Sequence, residues 1–171
     1  MKSVWKLIAQ TKNKPGALNC GSSGIGAPNH LALEMLQVMT GTEMTHVPYK
    51  SAAPSVTELM GGQVQLSVNA IPSVLQAINL GKLTALAVIS PKRSRVLPNV
   101  PMLAAAGAAN VDYAIWYSLF APARVAPDIV NNVSTDLQRA LKDPDLVQQL
   151  TAQGTEPAPS SAAAARDTSP G

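Results

Sequence analysis

With 171 residues, the chain has room for one ordinary domain or for one and part of another. Apolar residues make up 46% and charged residues only 13%, so the chain can bury a core and most of it is expected to be ordered. A net charge of +3, with Lys and Arg clustered only at residues 92–95, excludes a basic stripe for nucleic acid. No apolar run approaches the roughly 18 residues that span a bilayer, and the single cysteine, Cys20, excludes an intramolecular disulfide.

Helical and extended patterns alternate along the chain. Apolar residues at helical spacing predict helices over 3–12, 28–40, 54–60, 72–81, 102–106, 127–141 and 145–153. Extended apolar patterns predict strands over 17–20, 42–49, 63–69, 83–90 and 116–121. Strands that are separated by helices predict an α/β fold with a mostly parallel sheet. In such a sheet, ligands bind beyond the carboxyl ends of the strands.

A turn rich in Gly and Ser, residues 21–27, connects the first predicted strand to the helix that follows. Its three glycines permit a sharp change of direction, and Pro28 suits the first turn of a helix. Backbone N–H groups point outwards at the start of a helix, where the helix dipole adds partial positive charge. The pattern therefore predicts an anion site built from amides and from the hydroxyls of Ser22 and Ser23. The competing interpretation is that these serines are ordinary polar turn residues.

The turn does not match the common phosphate-binding or catalytic motifs. It has no lysine where a Walker A loop needs one, and Asn29 occupies the place of the last glycine of a dinucleotide fingerprint. The turn also differs by one residue from the Gly-x-Ser-x-Gly motif that presents the nucleophile in serine hydrolases. His30 and His46 lack partners at metal-ligand spacing and are interpreted as structural residues, and Cys20 as a small buried hydrophobe. We therefore expect no catalytic activity, no metal and no cofactor.

Six segments occur together in an order and spacing that resemble the Bug family, the extracytoplasmic solute receptors of the tripartite tricarboxylate transporters. They are residues 19–31 (NCGSSGIGAPNHL), 46–54 (HVPYKSAAP), 61–64 (GGQV), 81–88 (GKLTALAV), 97–101 (LPNVP) and 116–122 (WYSLFAP). The resemblance covers residues 3–158. It implies a type II periplasmic-binding-protein fold of two lobes, which close on the ligand by hinge motion.

The resemblance also implies the function and the site residues. The implied ligand is a small organic carboxylate, the implied partners are membrane transporter subunits, and the implied location is the periplasm. By position, the implied ligand-binding residues are Ser22, Ser23, Gly24, Gly26, Ala27, Tyr49 and Asn69. Trp116 is a weaker candidate. The family often has Asp at the position of Asn69, so the resemblance does not carry over the identity of the ligand.

The resemblance divides the chain into three parts. Residues 3–113 correspond to the second, ligand-binding lobe, and residues 114–156 to a partial return into the first lobe with C-terminal helices. Residues 157–171 are rich in Pro, Ala and Ser and are expected to be a disordered tail. The family's export signal and first-lobe segment have no counterpart in this sequence. We therefore expect a truncated chain that binds weakly or not at all, and that is cytoplasmic if the reading frame is complete.

Two alternatives from other classes stay open at this point. One is a small α/β serine hydrolase, with Ser22 or Ser23 as nucleophile and His30 or His46 as base. The other is a non-catalytic partner-binding module, in which exposed helix faces within residues 127–153 form a dimer.

Overall fold

The computed structural model describes residues 3–108, 113 and 117–160. The chain divides into two units, residues 1–115 and 116–171. Trp116 and residues 161–171, on which part of the predicted tail falls, lie outside the described residues. Over the described ranges, no helix has the length and hydropathy needed to cross a membrane.

The first unit contains alternating helices and strands. In chain order these are α1 (Val4–Asn13), β1 (Asn19–Ser22), α2 (Pro28–Thr40), β2 (Thr45–Pro48), α3 (Ala52–Met60), β3 (Leu66–Ser67), α4 (Ile71–Asn79) and a 3₁₀ turn (Ala104–Ala106). The second unit contains α5 (Pro127–Ala140) and α6 (Pro144–Ala152). Gly41 ends α2 in the left-handed conformation, as its position after the last apolar residue predicts.

The three strands form one parallel sheet in the order β2-β1-β3. In the centre of the sheet, Gly21 of β1 is in register with Val47 on one side and with Ser67 on the other. The strands run in the same direction, so their carboxyl ends meet at one edge, where the turn after β1 begins. The prediction of an α/β fold with a parallel sheet is confirmed.

The core of the first unit lies between α1, α2 and the sheet. Its buried members are Val4, Leu7, Leu18, Cys20, Leu33, Leu36, Met44, Leu103, Ala106 and Ala108. Burial is the main cause that raises the pKa of Cys20 to about 12, with a smaller contribution from Glu34, so the thiol is neutral. The interpretation of Cys20 as a small buried hydrophobe is confirmed.

Two predicted strands are wrong in the described chain. Residues 83–90 are irregular apart from one parallel bridge between Val88 and Met102, and residues 117–121 have no regular structure. A strand exists only where a neighbour pairs with its backbone, and an apolar run alone does not supply that neighbour. The predicted strand over 17–20 is displaced to Asn19–Ser22, which places Gly21 and Ser22 in the sheet.

Gly21 provides a test of this packing. A Cβ there would lie 2.7 Å from Ser55 Oγ, 3.2 Å from Val64 Cγ2 and 3.3 Å from Tyr49 Cε2. We expect Gly21→Ala to lower the free energy of unfolding by about 1–3 kcal/mol, because overpacking forces these neighbours to move. Urea unfolding measures the change.

Gly61→Ala is the matched control. Gly61 has a φ of −78°, and a Cβ there would meet its nearest atom, Thr57 O, at 3.5 Å, which is ordinary contact. Equal unfolding midpoints for the two variants would contradict the packing described around Gly21.

Candidate functional site

The turn predicted over residues 21–27 begins inside β1, and we call the part of it beyond that strand, residues 23–27, the bend. It connects the carboxyl end of β1 to the start of α2. Gly24 has a φ of 135° and Gly26 a φ of 75°, so both need the freedom of glycine. Ile25 and Gly26 are exposed, while Ser23, Gly24 and Ala27 are half-buried. The bend is therefore on the surface, at the edge of the sheet where ligands of parallel α/β folds bind.

Side chains of the protein accept most of the amide protons of the bend. The Ser23 N–H donates to Asn29 Oδ1 (3.2 Å), and the Ser23 hydroxyl is 2.9 Å from the same oxygen. The Gly26 N–H donates to His30 Nδ1 (3.1 Å). This contact agrees with the interpretation of His30 as a structural residue.

The other bend amides differ in their partners. The Gly24 N–H donates to Ser22 Oγ (3.1 Å), and the Ala27 N–H donates to the carbonyl of Gly24 (3.2 Å). The Ile25 N–H has no acceptor among the described residues. The sequence predicted a row of outward-facing amides, but the structure gives one amide without an acceptor and four that donate to atoms of the protein.

Ser22 is fully buried, and its hydroxyl forms hydrogen bonds with the bend. Its Oγ lies 2.6 Å from His46 Nε2 and 3.2 Å from the carbonyl oxygen of Gly24. Because Ser22 has one hydroxyl proton, all its contacts are satisfied when that proton goes to Gly24 O and His46 Nε2–H donates to Oγ. In this arrangement His46 does not act as a base towards Ser22, and the geometry does not favour the hydrolase alternative.

His30 and His46 form a pair that the sequence did not reveal. Their rings stack with centroids 4.1 Å apart, and His30 Nε2 lies 3.5 Å from Glu34 Oε1. Burial is the first cause that lowers the pKa of His46, and the charge of His30 is the second, while Glu34 acts in the opposite direction. The pair depends on the position of β2 beside β1, so the spacing of the two residues in the chain gave no signal.

Tyr49 and Asn69 lie at the same edge of the sheet. The Tyr49 N–H donates to the carbonyl of Ser22 (3.0 Å). Asn69 Nδ2 donates to Ser67 Oγ (2.7 Å), and that hydroxyl donates to the carbonyl of Gly21 (2.8 Å). Asn69 Oδ1 is buried without a partner among the described residues. The structure therefore brings the predicted site residues together, while their contact with a ligand stays a prediction.

The bend is open to solvent rather than enclosed. Two surface depressions in the described chain lie elsewhere, one lined by residues 135–143 of the second unit and one by residues 34–44 of the first. In the same described ranges, no three His, Cys, Asp or Glu side chains gather as a metal site would require.

Comparison with known proteins gives the family. Residues 1–167 match the family model described as "Tripartite tricarboxylate transporter family receptor". The protein BugT of Bordetella pertussis is 34% identical over 157 residues, which is 92% of this chain and 48% of BugT.

Solved structures agree with this match. The R. palustris protein Rpa4515 with adipate has a TM-score of 0.93 and 31% identity, over 98% of this chain and 56% of that one. MatC (Rpa3494) from Rhodopseudomonas palustris with bound malate has a TM-score of 0.84 and 26% identity, over 91% of this chain and 53% of that one. The chain spans about half the length of the relatives that it matches. It belongs to the tripartite tricarboxylate transporter receptor family, which includes the Bug proteins.

Proposed function

We propose that this chain is the part of an extracytoplasmic receptor that holds one carboxylate group of a small organic ligand at the bend. The receptor would deliver the ligand to a tripartite tricarboxylate-type transporter from the periplasm, without chemical change. The family and the adipate and malate in two related structures support the ligand class. The observation that carries the proposal is the bend at the start of α2, where Ile25 is exposed and its N–H has no acceptor among the described residues.

The start of α2 favours a negatively charged ligand. The first turn of this helix contains no acidic residue, so no side chain of that turn offsets the positive end of the helix dipole. The Ile25 N–H and the Ser23 hydroxyl lie on the same short segment. An incoming carboxylate would accept the Ile25 N–H directly and would compete with Asn29 Oδ1 for the hydroxyl proton of Ser23.

A complete site requires a second wall. The related structures are about twice as long as this chain, and the part that it does not match is our candidate for that wall. With the bend alone, a ligand keeps most of its surface in water. We therefore expect weak binding, on the order of millimolar, where the free energy of binding is about −4 kcal/mol. The dimer considered from the sequence is not part of this proposal.

Asn29→Asp tests the sign of the ligand's charge. The substitution keeps an oxygen that accepts from Ser23, and an acidic residue in the first turn of α2 favours the fold through the helix dipole. We expect adipate to bind at least about tenfold more weakly, because a second negative charge then lies beside the bound carboxylate. Titration of the ¹⁵N-labelled chain with adipate, followed at the Ile25 and Gly26 amides by NMR, measures the affinity.

Asn131→Asp is the control, because it makes the same change of net charge on the exposed surface of α5. Its affinity for adipate should equal that of the unsubstituted chain. Unchanged adipate binding in Asn29→Asp, or wild-type shifts confined to residues far from the bend, would contradict a carboxylate site there.

A second test separates the receptor from the hydrolase alternative. We expect no covalent labelling by a fluorophosphonate probe at Ser22 or Ser23, because Ser22 is fully buried and the Ser23 hydroxyl points to Asn29. Intact-mass spectrometry after incubation gives the answer, with a known serine hydrolase as the positive control. A stoichiometric adduct at either serine would contradict the proposal of a receptor without catalysis.

A further inference from the structure

The hydrogen bond from the Gly26 N–H to His30 Nδ1 has a chemical consequence at the bend. An imidazole nitrogen accepts a hydrogen bond only when it carries no proton. The 3.1 Å contact therefore places the proton of neutral His30 on Nε2. That nitrogen faces Glu34 Oε1 at 3.5 Å, which suits an N–H group. The acceptor that holds the Gly26 amide is thus an atom that can itself take up a proton.

Protonation of Nδ1 would reverse the role of that atom. With a proton on Nδ1, His30 becomes a donor at both nitrogens, and the Gly26 N–H loses its acceptor. Two donors, Gly26 N–H and Nδ1–H, then face each other at an exposed position next to the Ile25 N–H. An anion that accepts from these donors would remove the conflict.

The groups around His30 decide which ring of the stacked pair takes the proton. The titratable groups that face it are Glu34 on α2 and His46 on β2. Cys20, which is in register with His46 on the neighbouring strand β1, is a neutral thiol. Two protonated rings whose centroids are 4.1 Å apart would repel each other, so one ring takes up a proton before the other as the pH falls. His30 has the carboxylate beside it, whereas burial and the charge of His30 lower the pKa of His46.

We propose that His30 is a positioning residue that couples carboxylate binding at the bend to the uptake of one proton at its Nδ1. The coupling rests on the proposed function. The proton comes from solvent, the Gly26 N–H exchanges its acceptor from Nδ1 to a carboxylate oxygen, and no covalent bond is made or broken other than N–H. Ligand release at higher pH returns the proton to solvent and the amide to Nδ1.

The first arm of the test needs no ligand. In the ¹⁵N-labelled chain, NMR from about pH 8 to about pH 5.5 follows the His30 ring and the Gly26 amide across the imidazole range. We expect neutral His30 to carry its proton on Nε2, and the Gly26 amide shift to change with the same midpoint as the ring. A proton on Nδ1 in the neutral ring, or a Gly26 amide that does not respond to the titration, would overturn the proposal.

The second arm measures adipate binding at about pH 8 and about pH 6. The unsubstituted chain should bind about tenfold more tightly at the lower pH, as one charge-assisted hydrogen bond would provide. His30→Asn places an amide oxygen near the position of Nδ1 and does not titrate, so its affinity should stay at the high-pH value. His46→Gln keeps a nitrogen donor for Ser22 and leaves His30 in place, so it should retain the pH dependence.

The outcomes separate the two proposals. If His30→Asn binds adipate with the same pH dependence as the unsubstituted chain, the titration belongs to the ligand or to another group and the coupling is overturned. If no variant binds adipate at either pH, while the Gly26 amide still follows the His30 ring, the proposed function is contradicted and the hydrogen-bond switch of the first arm is supported.

Discussion

The hydrogen bond between the buried hydroxyl of Ser22 and His46 Nε2 fixes the edge of the sheet on which the candidate site depends. It connects the end of β1 to β2, and the same oxygen accepts the Gly24 N–H, so one atom contacts both the neighbouring strand and the second residue of the bend. A buried hydroxyl with all its contacts satisfied is costly to replace, because each abandoned partner loses about 1–3 kcal/mol. Ser22 thus holds the bend in place while its own side chain is buried.

Local signals in the sequence predicted the helices better than the strands. The bounds of α2 followed from Pro28 and Gly41, and the start of α5 from Pro127, while α6 begins at Pro144, one residue before the predicted start, since proline and glycine act on their own backbone. Strands depend on neighbours distant in the chain, so residues 83–90 had the composition of a strand and yet form only one bridge. The location of the bend was predictable, because glycine spacing and a helix start are both local.

Only some of the hydrogen bonds that the bend amides make within the protein could have been predicted from the sequence. His30 accepts from Gly26, four residues earlier, and Asn29 accepts from Ser23, six residues earlier. These separations are slightly longer than the three residues of a capping box, so a local rule comes close to predicting them. The stack of His30 on His46 required the register of β1 and β2, which no local pattern contains. These acceptors mean that a ligand must exchange hydrogen bonds at the bend, at a net difference of about 0.5–1.5 kcal/mol for each bond.

A site built from a bend selects for one functional group rather than for a whole molecule. The Ile25 N–H and the Ser23 hydroxyl lie within three residues of each other, which suits a single carboxylate, and the bend offers no contact that depends on the length of the rest of the ligand. Adipate and malate, the ligands named for two related structures, are both dicarboxylates, but they differ in chain length and only malate has a hydroxyl group. If the bend holds a carboxylate as we propose, proteins that share this fold can keep the bend for the common group and select the rest of the ligand with the opposing wall. In that arrangement, a change of ligand requires no change in the residues that hold the carboxylate.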